Sequence, residues 1–385
     1  MIKGKKIQPK VIIDKPNVNY RKLDALNQSM IKLFDSDPVK FYEEFKLGRK
    51  RRDKKNVSLI IGDLVDFYLL SCRGDELEFN NRLDEKFVLF EGNKGSGQVF
   101  TLADYIFEET ENCMNEKGEI TCSFETRFNA ALNKIQAEGK YKGKDKDKVL
   151  EDFYENGESY YNKKLENIGK TVVDASLVDK ARAVAEKLMR DEFTRDIFKV
   201  NDNLEYLTHF PIEWKYLLPM NKYYPCKSEL DILLIDHDHR VIQPMDLKTT
   251  YDNESFDYMY IKNSYYLQNA FYVKSVEEWA KTSGLEGYEV KPMKFVVGDT
   301  SVNNRRPLIY ETSNIDVEKG MYGFSLKGTY YKGVDELIND IVWAEEQDIW
   351  NCSRDAYGKN GKMKLNIQYD GEEENISTYY SGLPE

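Results

Sequence analysis

The 385-residue chain predicts an α/β protein with a central mixed β-sheet flanked by helices. Four apolar segments with strand character lie between residues 209 and 299, and helical segments follow the third and the fourth of them. The order strand, strand, strand, helix, strand, helix is typical of a mixed α/β core. A hydrophobic share of 41% is enough for a sizeable core.

The N-terminal part of this fold is predicted to be helical. Residues 23–47 predict helices because their apolar side chains recur at helical spacing. The side chains on that face are Leu26, Met30, Ile31 and Phe34. Asp37 and Pro38 then break the pattern and restart a helix, with proline at an early helical position. The apolar run at 57–72 predicts a further helix.

A charged region at about 75–200 separates these helices from the strands and is predicted to be a mostly helical insertion. Its clearest helix has four apolar residues at helical spacing, which are Leu177, Ala181, Val184 and Leu188. We therefore expect one domain, with entry helices at 20–72, a core at 205–350 and this insertion between them.

The core segments follow in order. The predicted strands are HFPIEWKYLL (209–218), SELDILLI (228–235), RVIQPMDLKTT (240–250) and VKPMKFVVGD (290–299). A helix at 263–284 lies between the last two strands and ends at Gly284, a residue that commonly terminates helices. Another helix is predicted at 334–350.

The second and third strands are predicted to form a hairpin through the turn sequence DHDH. If the hairpin is symmetric about Asp238 and His239, Asp231 lies opposite Asp246, with Cβ atoms about 5 Å apart. Lys248 lies two residues further and projects from the same face. A bulge would change this register, and side chains on opposite faces would refute it.

Two half-buried carboxylates this close repel each other and require a proton or a cation between them. Oxygen ligands favour a hard divalent ion such as Mg²⁺ or Mn²⁺. Such an ion activates water and stabilises charge on a phosphoryl oxygen, and a neighbouring lysine assists. The three residues are sufficient for phosphodiester hydrolysis; the alternative is a hairpin with charged ends.

Four features in order resemble the PD-(D/E)xK nuclease superfamily, in its RecB/RecE-like branch, which includes exodeoxyribonuclease VIII-like and lambda-exonuclease-like enzymes. The first is Asp231 followed by Asp246 and Lys248, within the stretch MDLKTT. The second is SYYLQNAFY, whose Gln268 and Tyr272 match the QxxxY motif of that branch. These two residues are four apart and share one helical face; the alternative is an ordinary amphipathic helix.

The other two features lie near the N-terminus. LNQSMIKLFDSDPVKFYEEFKLG resembles the entry helices of the family, and IIGDLVDFYLL resembles its GxxxH helix. Gly62 and Asp66 stand at the glycine and histidine positions. Aspartate also binds Mg²⁺ through oxygen, although Asp66 could instead be a polar residue on an apolar helix. The resemblance covers residues 25–70 and 205–300.

The resemblance implies a restriction-endonuclease-like core that binds Mg²⁺ (or Mn²⁺) and DNA. The implied metal ligands are Asp231, Asp246 and Asp66, with Glu213 as a further candidate because an acid often precedes the hairpin in this superfamily.

The remaining implied site residues are polar. Lys248 is expected to position the attacking water or to stabilise the transition state, and Gln268 and Tyr272 to order water and the scissile phosphate.

The function that the resemblance implies is a DNA exonuclease acting on duplex ends, for recombination or DNA processing in a phage or mobile element. It is expected to work as a homo-oligomer, a ring by analogy, beside a single-strand annealing protein. Two alternatives stay open: an endonuclease or nickase of the same superfamily, and a catalytically inactive member that binds DNA or protein.

The overall charge, −11, is not that of a typical nucleic-acid binder. Two basic segments, 46–55 and 140–148, are candidates for local DNA contacts or for solvated loops. No apolar stretch is long enough for a membrane span or follows the basic N-terminus as in a signal peptide. We therefore expect a cytoplasmic protein with no membrane partner, in the host cell if phage-encoded.

The five scattered cysteines predict idle thiols in a reducing compartment rather than disulfides. An iron-sulfur cluster, which some relatives carry, is not expected because Asp37 replaces the first cysteine and only Cys352 lies near the end. None of the three histidines is assigned a role, and His209 is isolated in the sequence.

Overall fold

The structure is a computed structural model, and it describes residues 20–49, 56–92, 97–115, 117–199, 204–303 and 305–363. The helices are α1 (Gln28–Ser36), α2 (Pro38–Phe41), α3 (Val57–Asp66), α4 (Glu76–Arg82), α5 (Gly97–Asn112), α6 (Phe124–Ala137), α7 (Lys146–Asn156), α8 (Glu158–Glu166), α9 (Ala175–Arg190), α10 (Phe256–Lys262), α11 (Tyr265–Thr282), α12 (Asn314–Tyr322), α13 (Val334–Gln347) and α14 (Arg354–Gly358). The strands are β1 (Phe87–Leu89), β2 (Thr171–Val173), β3 (Leu204–Leu217), β4 (Tyr223–Asp236), β5 (Val241–Thr250), β6 (Glu289–Val290), β7 (Lys294–Asp299), β8 (Leu308–Glu311), β9 (Phe324–Leu326) and β10 (Thr329–Tyr331).

The predicted α/β class is confirmed by a central six-stranded mixed sheet flanked by helices. Its main path is β3-β4-β5-β7-β8, and β6 pairs with β5 beside β7. Strand β5 is antiparallel to β4 and parallel to β7, so the connection from β5 to β7 crosses over through α10 and α11. This strand therefore has a hairpin partner on one side and a crossover helix above it.

The predicted hairpin register is also confirmed. The β4–β5 ladder pairs Ile232 with Met245 and stays in step up to the turn. Continued by one residue away from the turn, the same register places Asp231 opposite Asp246.

Helices α1, α2 and α3 match the sequence pattern closely, with one correction. Asp37 caps α2 and accepts a hydrogen bond from the backbone N–H of Lys40, with Pro38 at the first turn, as predicted. Leu26 lies outside α1: its backbone bonds to the neighbours of Cys226 on β4. An extended N-terminal segment against the sheet edge explains why its apolar side chain is buried without being helical.

Apolar clusters cover both faces of the sheet. One lies between the sheet and helices α1, α11 and α13, and the other between the opposite face and helices α3 and α9. Gly62 of α3 lies where an added Cβ would be 3.2 Å from Thr249 Oγ1 of β5, so a small residue permits this close packing.

The predicted insertion is divided in the structure. Helices α5 to α8 form their own apolar cluster. Helix α9 instead packs beneath the sheet, where Val184 and Leu188 contribute to the cluster with α3. Residues 97–166 are thus the part of the insertion that packs around its own apolar cluster. Helix α9, at the C-terminal end of the insertion, packs with the core of the sheet.

Several short elements of the last third were not predicted. They are β8, α12 and the hairpin β9–β10, which lie between β7 and α13. The strands have only three or four residues each, none of them buried, and so carry little periodicity for a sequence pattern to show.

The expectation of idle cysteines is wrong for one pair. Cys113 and Cys122 form a disulfide at the turn between α5 and α6. The backbone bridge between Met114 and Ile120 closes this turn and brings the two sulfurs together. Among the described helices, none has the length and apolar character needed to cross a lipid bilayer.

Candidate functional site

Asp231 lies at the point where β3 and β4 change the face of the sheet toward which successive side chains point. Leu230 and Leu233 of β4 both pack into the cluster under α11, although residues three apart ordinarily face opposite sides of a strand. On β3 the phase changes between residues 207 and 210, around His209, whose φ is 46°. Such irregularities re-aim side chains and are common beside active sites. Asp231 stands at this point.

Asp231, Asp246, Lys248 and Gln268 come together as a group. Asp231 Oδ2 accepts a hydrogen bond of 2.9 Å from the backbone N–H of Leu247, which holds its carboxylate at the edge of β5. Asp246 is almost fully buried; its Oδ2 forms an ion pair with the Lys248 ammonium, and its Oδ1 accepts a hydrogen bond of 2.5 Å from Gln268 Nε2. Strand β5 and helix α11 together therefore fix the orientation of Asp246.

The electrostatics of this group show an excess of negative charge. Burial raises the pKa of Asp231 well above its usual value, and the carboxylate of Asp246 raises it further, with Lys248 opposing. Burial alone would lower the pKa of Lys248, but Asp246 and Asp231 outweigh it and raise that pKa. One close ammonium thus does not compensate the buried carboxylates.

Asp66 lies beside this pair at the end of α3, where the helix passes into a π-helical turn. Burial raises the pKa of Asp66 to about 7; Lys86 opposes, and Asp63 and Asp246 raise it further. Its Oδ1 is 3.4 Å from His209 Nε2, which also lies 3.2 Å from Ser71 Oγ. No spacing in the sequence links His209 to Asp66, and the folded chain brings the two together.

Tyr272 shares the buried face of α11 with Gln268, as the four-residue spacing predicted. Burial raises the pKa of Tyr272 well above its usual value, and the carboxylates of Asp246 and Asp231 raise it further. The phenol remains protonated at neutral pH and is available as a hydrogen-bond donor beside the acidic pair.

Glu213 does not belong to this group. It is exposed on β3 and pairs with Lys227, which lies four residues before Asp231 on β4. Four residues of strand correspond to about 13 Å along the chain. The prediction of Glu213 as a metal ligand is thus wrong, because the length of the hairpin separates it from Asp231.

One residue near the site was missed by the sequence analysis. Lys32 of α1 places its Nζ 4.7 Å from the centroid of the Tyr265 ring, and Lys248 Nζ lies 5.0 Å from the same ring. Burial and the Lys248 ammonium lower the pKa of Lys32 to about 7, with Asp246 opposing. A lysine on a helix face carries no sequence signal that would link it to a strand more than 200 residues away.

The donor set fits a hard divalent cation in charge and in chemistry. Asp231 and Asp246 supply carboxylate oxygens with surplus negative charge, and Asp66 adds a third carboxylate nearby. Within the described residues, no three His, Cys, Asp or Glu side chains converge closely enough to form a complete metal cage. Mg²⁺ is commonly held by one or two carboxylates together with water and substrate phosphates, which matches a two-carboxylate site.

Where the structure describes the two basic segments, each contains a lysine paired with an acidic side chain. Residues 50–55 of the first lie outside the described residues, and Lys46 forms an ion pair with Glu345. In the second, Lys146 pairs with Glu125. A role for either segment in binding DNA stays a prediction.

The chain matches no protein-family model and no curated protein sequence. The resemblance to PD-(D/E)xK nucleases therefore rests on the motifs alone.

Proposed function

We propose that the protein is a metal-dependent deoxyribonuclease that hydrolyses phosphodiester bonds at the ends of duplex DNA. The observation that supports this most is the juxtaposition of Asp231 and Asp246, with the Lys248 ammonium on Asp246 and with Gln268 holding the other carboxylate oxygen. Two adjacent carboxylates, one of them bound by both a lysine and a glutamine, do not stabilise a sheet and are typical of a functional site.

The side chains divide the work of hydrolysis. A divalent cation bound by the carboxylates would supply Lewis acidity and lower the pKa of a bound water. Lys248 holds a positive charge where a phosphoryl oxygen would gain negative charge. Gln268 keeps the carboxylate of Asp246 in one orientation. Overall, the water oxygen bonds to phosphorus as one ester P–O bond breaks, leaving a phosphate monoester and a hydroxyl group.

The biological setting is proposed from the motif resemblance. It is resection of duplex DNA for recombination or DNA processing in a phage or mobile element, in the cytoplasm of the host cell. A homo-oligomer working with a single-strand annealing protein belongs to the same proposal. Failure of such a protein to stimulate resection would remove that part without affecting the site.

The test uses end-labelled linear duplex DNA and a closed circle, each with Mg²⁺ or with EDTA. We expect Mg²⁺-dependent loss of the linear DNA only. Lys248→Ala should reduce the rate by about 10²- to 10³-fold because it removes charge stabilisation at the reacting phosphate. Lys294→Ala is the matched control, since Lys294 is also a strand lysine paired with a carboxylate, Glu311. Its strand partner is Met245, whose side chain lies on the face of the sheet opposite to that of Asp246.

The other outcomes are distinct. Cutting of the circle as well as the linear DNA would identify an endonuclease or nickase with the same site. Binding of DNA without cutting of either substrate would identify a catalytically inactive binding protein. If Lys248→Ala and Lys294→Ala lose cleavage activity equally, Lys248 only supports the folded structure and takes no part in hydrolysis.

A further inference from the structure

The ring of Tyr265 carries two ammonium groups from different parts of the chain. Lys32 Nζ on α1 is 4.7 Å from the ring centroid, and Lys248 Nζ on β5 is 5.0 Å from it. Tyr265 opens helix α11, so three elements converge at this ring. An aromatic face attracts a cation, and this attraction explains why both lysines tolerate a half-buried position.

The ring is held firmly from other sides. Phe256 stacks on Tyr265 with centroids 5.6 Å apart and an interplanar angle of 17°, and Phe295 lies 5.8 Å away. Phe256 and Phe295 are themselves fully buried in the core. Tyr265 therefore acts as a rigid platform that places the two ammonium groups at fixed positions.

A cation–π contact alone does not account for Lys32. In the insertion, Lys164 lies 4.5 Å from the Phe107 ring, but it also forms an ion pair of 2.7 Å with Asp104. Among the described residues Lys32 forms no such ion pair. Lys248 on the same ring has the same sign, and the carboxylate of Asp246, which offsets part of this repulsion, is already paired with Lys248. A partly desolvated cation without an ion pair of its own is costly, so this position favours an anion.

We propose that Lys32 and Lys248, whose ammonium groups both lie over the ring of Tyr265, bind oxygens of the nucleic-acid phosphate backbone. This inference rests on the proposed nuclease function and adds to it a substrate-binding residue from the N-terminal helix. When a divalent cation takes up the charge of Asp231 and Asp246, both lysines remain to be compensated, and a phosphodiester is an anion that can do so.

The test measures binding of a fluorescein-labelled short duplex by the full chain, by anisotropy in Ca²⁺, at a series of KCl concentrations. Lys32→Met keeps the length of the side chain and removes the charge. We expect its Kd to rise about tenfold, and the slope of log K against log salt to fall by about 0.9, as for the loss of one phosphate contact. Lys32→Arg should retain the wild-type slope, because the charge is kept.

Lys274→Met is the matched control, since Lys274 lies on α11 but is paired with Glu278 at 2.9 Å. Its Kd and salt slope should equal those of the wild type. Thermal melts of all variants establish that they are folded. If the wild type binds DNA and Lys32→Met binds it with the same Kd and salt slope, the role of Lys32 is overturned and the proposed function stands. Absence of DNA binding and cleavage by the wild type would overturn both.

Discussion

The protein buries charge in two regions, and it does so in opposite ways. In the insertion, Arg127 is buried and donates hydrogen bonds of 2.7 Å to both Thr110 Oγ1 and Tyr161 OH. At the hairpin, the half-buried Asp231 and the buried Asp246 lie side by side with one close ammonium, from Lys248. The guanidinium of the insertion has partners that fit it, whereas the carboxylates of the hairpin have a surplus of charge.

The difference separates a structural polar group from a candidate functional one. A buried group with fitting partners stabilises one packing arrangement, and removing a partner is costly. Buried like charges with raised pKa values destabilise the folded protein until a cation or proton arrives. Uncompensated negative charge therefore identifies the candidate site more clearly than the burial of a polar side chain does.

The largest effect on stability is expected in the insertion. Arg127→Met should lower the free energy of unfolding by about 2–3 kcal/mol, because it leaves buried hydroxyl oxygens without their donor. Urea unfolding measures this. Arg190→Met is the control, since Arg190 is mostly exposed with a partner in Glu186, and it should change stability by less than about 0.5 kcal/mol. Equal losses in both variants would contradict the structural role of Arg127.

The acidic side chains around the hairpin, which include Asp66 of α3, should destabilise the folded protein, and the pH dependence of the free energy of unfolding should show it. The folded-state pKa of Asp66 is about 7 against 3.8 in the unfolded chain, so the folded state holds the proton more tightly. In EDTA, stability should therefore fall as the pH rises from about 4 to about 7 and then level off.

Asp66→Asn removes that titration. The variant should be more stable than the wild type at pH 8 by roughly 2 kcal/mol, allowing for partial solvent screening, and should differ little at pH 4. Urea unfolding across this range, with exposed Asp84→Asn as the control, measures the difference. Parallel pH profiles for wild type and Asp66→Asn would show that Asp66 does not carry the surplus charge.

The smallest effect concerns the cation itself. At pH 8, Mg²⁺ at about tenfold above its Kd should stabilise the protein by about 1.4 kcal/mol. Asp231→Asn should lose this increment because it removes one oxygen charge from the pair. Glu213→Gln should keep it, because Glu213 lies on another part of the hairpin. Thermal melts with and without Mg²⁺ compare the three proteins, and loss of the increment in Glu213→Gln would restore Glu213 as a ligand.

Much of the fold could be predicted because it depends on local pattern. The cap at Asp37, the start at Pro38 and the long strands are set by residues that are neighbours in the chain. The β4–β5 register also follows from the short turn, because side chains alternate along the paired residues 232–236 and 241–245. This is why Asp231 could be placed opposite Asp246 from the sequence alone.

The rest was decided by contacts between distant segments. Lys32 reaches Tyr265, and His209 reaches Asp66, only because α1, α3 and β3 pack around the same end of the sheet. Glu213 is excluded by the length of the hairpin, a distance that does not appear in a list of motifs.

The sequence by itself determined the α/β class, the hairpin register and the helical face that Gln268 shares with Tyr272, because each depends on spacing along one or two elements. Only the tertiary structure decided which acids share a surplus of charge, which lysines face them and where the insertion ends. Burial and the electrostatic field depend on every segment packed around a group, and a single stretch of sequence contains only one of those segments.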